Sequence, residues 1–166
     1  MPQDTDSPNA CGAPLRRNQV LGDPGPMTHR LDLAEVAGLL RVALTEHVSA
    51  AGTKRALPTV MHVGTPGVEA VAVPDAPDLD PGLRADLMER ALDGLDLSRT
   101  PLPWLTRIGE LAPGDVDLAW FAATREAYGR HSLDLPGFFV MTRYGWLDLA
   151  TDELIRWSRV RATKGA

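Results

Sequence analysis

The stretch Pro58-Thr-Val-Met-His-Val-Gly-Thr-Pro-Gly-Val-Glu-Ala-Val-Ala-Val-Pro74 decides the fold class of this chain. Two β-branched runs flank Thr65-Pro66-Gly67, and proline followed by glycine between such runs marks a tight turn, so the segment reads as a β-hairpin. In its second arm Val68, Ala70 and Ala72 alternate with Glu69, Val71 and Val73, which predicts a strand covered on much of both faces.

Helical patterns lie on both sides of the hairpin. Upstream, Leu33, Val36, Ala37, Leu40, Leu44 and Val48 follow the spacing of one helix face. Asp32 and Glu35 form a capping box at its start, and Gly52 marks its end. His47 falls near the C-terminus of this helix, where the dipole favours a protonated imidazole. Downstream, Asp80-Pro81 is a cap residue followed by proline at the first helical position, and the helix it opens runs to about Gly94.

A strand at Leu102–Ile108 follows, then a helix from Asp115 to Tyr128, a strand at Gly137–Arg143, and a terminal hairpin turning at Ala150-Thr151-Asp152. The expected order is α-β-β-α-β-α-β-β: a single α+β domain over residues 28–166, with three helices and a mixed sheet of about five strands. Residues 1–27 carry five prolines and no apolar periodicity, so they read as a disordered leader ahead of the domain.

Composition narrows the function classes. The chain has 166 residues, of which 44% are hydrophobic and 23% charged, with 22 acidic residues against 17 basic ones. That acidic balance counts against nucleic acid as a partner, since wrapping a phosphate backbone calls for a basic face. A single cysteine excludes an internal disulfide framework and a thiolate zinc site. With no apolar run of membrane-spanning length and no signal-peptide core, a cytoplasmic location away from membranes is expected. Arginine far outnumbers lysine, and alanine, proline and glycine are abundant, a composition that resembles proteins of GC-rich bacteria.

One pattern recurs. Thr106-Arg107-Ile-Gly109-Glu-Leu111 and Thr142-Arg143-Tyr-Gly145-Trp-Leu147 share T-R-x-G-x-L, each at the end of a strand. If these strands are parallel neighbours, both arginines leave the sheet at its carboxyl edge, where open α/β sheets bind ligands. Two guanidinium forks there would suit a carboxylate or phosphate, so Arg107 and Arg143 are the candidate ligand-binding residues. The structural alternative pairs them with loop acids such as Glu110, Asp115 or Asp148.

Other residues admit the same two kinds of role. His62 lies in the first strand with Glu69 across the turn, an arrangement that could make a general base with an orienting acid, or simply a structural pair. Asp75, Asp78, Asp80, Asp115 and Asp117 stand in loops and at helix starts, where capping alone favours aspartate, so neither a metal nor another cofactor is expected. The last strand collects Arg156, Trp157, Arg159 and Arg161, a candidate partner-binding surface and equally the charged edge that guards a sheet. Tyr144, Trp146 and Trp157 at the terminal hairpin would, if exposed together, form a homodimer contact.

The leading reading is a non-catalytic binding or adaptor module that recognises an acidic group on a protein partner or a small anionic ligand. The alternative is a small cofactor-independent enzyme acting on a carboxylate- or phosphate-bearing metabolite, with His62 as base, Glu69 orienting it, and the two arginines as anchors. That alternative requires His62 and at least one arginine to line one concave pocket.

Overall fold

A computed structural model describes residues 32–51 and 58–157. Nine elements follow one another: α1 (Leu33–Ala51), β1 (Val60–Thr65), β2 (Glu69–Pro74), α2 (Pro81–Asp93), β3 (Leu102–Thr106), α3 (Asp115–Arg130), β4 (Phe139–Thr142), β5 (Gly145–Asp148) and β6 (Glu153–Arg156). The fold is α+β, with three helices on one mixed sheet ordered β2-β1-β3-β4-β5-β6. Among the described residues only the β3–β4 contact is parallel, pairing Trp104 with Phe139 and Thr106 with Met141. α3 is the crossover that a parallel pair requires.

There are six strands where about five were expected. The run Gly137–Arg143 and the approach to the terminal turn are separate strands, because the chain reverses at Arg143-Tyr144 and Gly145 begins β5 opposite Thr142. β2 also departs from expectation. Among the described residues it lies at the outer edge with β1 as its one neighbour in the sheet, and four of its six residues are exposed. Its alternating Val and Ala fit both a covered strand and a short edge strand; composition alone does not separate the two.

Both N-cap carboxylates expected from the sequence accept a backbone N–H, the Asp32 half of the expected Asp32–Glu35 box included. The Asp32 carboxylate accepts the Glu35 N–H at 2.7 Å, and Asp80 accepts the Leu83 N–H at 2.8 Å ahead of Pro81. These bonds satisfy donors that the helix leaves without intrahelical partners.

The sheet has two unlike faces. On one, α2 and α3 pack side by side over Met61, Val63, Leu105, Val140 and Phe138, with Met88, Leu92, Trp120 and Tyr128 filling the layer. On the other, α1 alone lays Val36, Leu40, Ala43 and Leu44 across Leu102, Trp104, Phe139, Met141 and Trp146. One helix is about 10 Å wide and adjacent strands are about 4.8 Å apart, so a single helix cannot cover six strands. Two clefts flank α1 as a result. One lies toward β1 and β2, the other toward β5 and β6.

Candidate functional site

The cleft beside β1 has a volume of about 300 Å³ and is walled by Ala43, Glu46, His47 and Ala50 of α1, by Val60 and His62 of β1, by Ala70 of β2, and by Trp104 and Thr106 of β3. Strand alternation explains the set. His62 pairs with Trp104 across the β1–β3 ladder, so both point toward α1, and Thr106, two residues on, points the same way. The three alanines leave the space open, since any larger side chain at those positions would enter it. The walls are largely apolar, with a few polar groups aimed inward, as in small-molecule sites generally.

His62 is held firmly. Its ring stacks on Trp104 with centroids 5.0 Å apart and planes 4° from parallel, and its Nε2 lies 3.0 Å from the Thr106 hydroxyl. The Thr106 hydroxyl is also 3.3 Å from the Val60 carbonyl. The Thr106 hydroxyl has two acceptors within reach, that carbonyl and an unprotonated Nε2, and which one takes its proton depends on the imidazole tautomer. Burial pushes the His62 pKa down to about 4, with a smaller contribution from repulsion by His47. His47 is lowered as well, again by burial, which reverses the protonation expected from its place near a helix C-terminus. Desolvation outweighs the dipole here because His47 is turned into the cleft wall.

The structure separates the other residues singled out in the sequence. Glu69 pairs with Thr65 at the far end of the hairpin and is exposed, while His62 pairs with Ala72, so Glu69 does not orient the imidazole. Arg107 is on the opposite face of the sheet. Its Nε and Nη2 donate to the two carboxylate oxygens of Asp117 at 2.7 Å each, and its remaining donors meet the carbonyls of Ile108, Glu110 and Ala112. Every N–H of the fork has a partner, which leaves none for a ligand. The pairing acid is Asp117, at the N-terminus of α3, in place of the loop acids considered from sequence.

Arg143 leaves the sheet end next to Arg107, since β3 and β4 are parallel neighbours, but it is exposed in the β4–β5 turn, stacked over Tyr144 and donating to the Tyr144 hydroxyl. Neither arginine lines the His62 cleft. The assembly that the enzyme reading requires, a base with its acid and an arginine anchor in one pocket, is not formed.

Arg156 and Trp157 border the second cleft, of about 690 Å³, which also includes Asp32, Val36, Arg41, Trp146, Asp148, Glu153 and Ile155. Trp157 is half-buried beneath the Arg41 guanidinium, 5.3 Å from its ring centroid. Arg159 and Arg161 lie outside the described residues. The aromatic patch expected at the terminal hairpin is dispersed: Trp146 is buried under α1 against Phe139, Trp157 is partly covered, and only Tyr144 is exposed.

The cleft itself was the feature that sequence reading missed. Its components are scattered over α1 and three strands, and the signal available was indirect: alanines on the inner side of α1 and β2, near two histidines. Comparison of the chain with protein-family models, with curated proteins and with solved structures finds no match. Among the described residues no helix is long and apolar enough to cross a membrane.

Proposed function

We propose that this protein is a non-catalytic, cytoplasmic binding module. It takes a small acid with an apolar body, free or displayed on a protein partner, into the cleft between α1 and β1–β3. The observation that carries this reading is the convergence of two imidazoles, His47 and His62, on one apolar cleft of about 300 Å³. The walls of Ala43, Ala50, Ala70, Val60 and Pro58 accommodate the apolar body. Glu46 also borders the cleft but is exposed, so an incoming carboxylate offers the His62 imidazole a less hydrated counter-charge, and binding draws a proton onto His62.

The reading relocates anion recognition from the arginine edge to the histidine cleft. It leaves out a catalytic base, because an imidazole that protonates only near pH 4 is too weak to accept protons efficiently at neutral pH.

The test uses benzoate and its uncharged isostere benzamide as probes. The signals followed are the His62 and His47 ring resonances and the melting temperature. Benzoate should shift both rings, and its affinity should rise as pH falls from 8 to 6, by up to about tenfold per unit, because the complex binds a proton that the free protein does not. His62→Phe should remove that pH dependence. Benzamide binding as tightly as benzoate, with no dependence on pH, would show that the cleft takes neutral ligands. No response to either probe would refute a small-molecule site here.

A further inference from the structure

Among the described residues β6 is the outermost strand of the sheet, and all four of its residues are exposed. Its hydrogen-bonding phase follows from its pairing with β5, in which Gly145 stands opposite Arg156 and Leu147 opposite Leu154. The Trp157 N–H donates to the Tyr144 carbonyl at 2.8 Å. In an antiparallel ladder, alternate residues turn both backbone groups toward the neighbour. Residues 153, 155 and 157 therefore face β5, and Leu154 and Arg156 direct their N–H and C=O groups outward.

We propose that this edge pairs with the β6 edge of a second copy of the chain, antiparallel, about a two-fold axis through Leu154. Symmetry and charge select that register. A two-fold axis perpendicular to a continuous sheet keeps each face on its own side, so opposed residues must share parity and the axis must pass through a residue. With the axis at Leu154, the two Leu154 residues exchange a pair of backbone hydrogen bonds, and Arg156 of each copy comes opposite Asp152 of the other. Along that face the sequence reads acid, apolar, base, which complements itself when reversed.

With the axis at Ile155 instead, the two Arg156 side chains become diagonal neighbours of like charge, which disfavours it. Leu154 and Ile155, each 39% exposed, supply apolar area on opposite faces of the seam. The other sheet edge is less suited to the role. The Asp75 N–H donates to the Thr59 carbonyl, so Ala70 and Ala72 turn outward, and the next outward position is Pro74, which has no N–H to give.

The pairing has a structural consequence. The axis keeps both α1 helices on the same face, so the two clefts of about 690 Å³, each bordered by Glu153, Ile155 and Trp157, join into one trough across the seam. This seam is at the opposite end of the sheet from His62, so it stands or falls separately from the ligand reading.

The experiment is sedimentation equilibrium of the full chain from low to high micromolar concentration, with melting curves as a check of folding. A reversible monomer–dimer equilibrium is expected. Leu154→Pro removes an N–H that the monomer's own ladder does not use, and should leave the monomer folded and unable to dimerise. Arg156→Glu should weaken the dimer at least about tenfold by facing Asp152 of the second copy, and the double variant Asp152→Lys/Arg156→Glu should recover it. Should the proline variant lose its fold, the charge exchange alone decides. A chain monomeric throughout overturns the proposal, as does a dimer indifferent to Arg156→Glu or an exchange that fails to recover it.

Discussion

The two T-R-x-G-x-L segments occupy equivalent places, each leaving a strand of the same parallel pair, yet different residues of the pattern carry the structure in each. In the first, Arg107 is the fixed point, tied to Asp117 and three loop carbonyls, while a Cβ on Gly109 would meet nothing closer than Arg107 Nη1 at 3.6 Å. In the second, Arg143 is exposed and touches its neighbour Tyr144, and Gly145 is the fixed point: its φ is +146°, and a Cβ there would lie 1.9 Å from the Ile155 carbonyl oxygen. The threonines diverge too. Thr106 holds His62 at the cleft, whereas Thr142 accepts the Tyr144 N–H to shape a turn. A shared motif therefore locates two chain reversals and says nothing about which of its side chains is committed.

The comparison breaks most sharply at Asp117. Its side chain is 1% exposed and paired in both oxygens with Arg107, and it also accepts the Gly114 N–H that caps α3. Removing one partner of a buried pair leaves the other charge uncompensated. Asp117→Ala is expected to cost about 3–5 kcal/mol in urea denaturation. Arg107→Lys should not rescue the site, since an ammonium cannot span two carboxylate oxygens and the loop carbonyls together. A loss under about 1 kcal/mol for Asp117→Ala would mean that the fork is not what holds this loop.

The glycines give the converse result. Gly145→Ala forces a methyl group into the backbone of β6 at a positive φ, for a loss of roughly 3 kcal/mol by the same assay. Gly109→Ala has φ +103° and open space, so only conformational strain of roughly 1 kcal/mol is expected. Equal losses at the two positions would erase the contrast between the segments.

Thr106 extends the comparison to pH. Because the folded protein holds His62 at a pKa of about 4 against the ordinary 6.5, the unfolded chain binds the extra proton between those values. Stability supplied by neutral His62 is present above pH 6.5 and drains away as pH falls toward 4, by roughly 2–3 kcal/mol after allowing for the partial exposure of the ring. Melting temperature against pH should show this decline, and it should be shallower in His62→Phe. An unchanged slope in that variant would place the titration elsewhere.

Much of the architecture was legible because it rests on local chemistry. Asp32, Asp80 and Pro81 mark helix starts through caps that involve only neighbouring residues. The parallel relation of β3 and β4 stood in the sequence only as a condition, because a helix between two strands permits a parallel pair without fixing strand order; the structure supplies the pairing. The strand count fell short at Arg143-Tyr144, where two residues suffice to reverse the chain and the apolar run on either side looks continuous. The site was less legible. Arginine fork geometry suits a ligand carboxylate and Asp117 equally, and sequence spacing does not say which is nearer. The His62 cleft depends on what α1 leaves uncovered, a property of packing that no single segment records.

The smallest expected effect completes the contrast and is the strictest check on it. Arg143 stacks over Tyr144 with its guanidinium 4.7 Å from the ring centroid, in solvent, and a surface contact of this kind contributes little because water screens it and the side chain gives up rotamer freedom to make it. Arg143→Ala should change stability by no more than about 0.5 kcal/mol, against several for the Arg107 pair. Nor should it alter the benzoate response, since Arg143 lies outside the cleft that His47 and His62 line. If Arg143→Ala leaves stability intact but abolishes benzoate binding, the exposed arginine is the anion anchor, recognition belongs to the sheet edge, and the histidine cleft loses its assigned role.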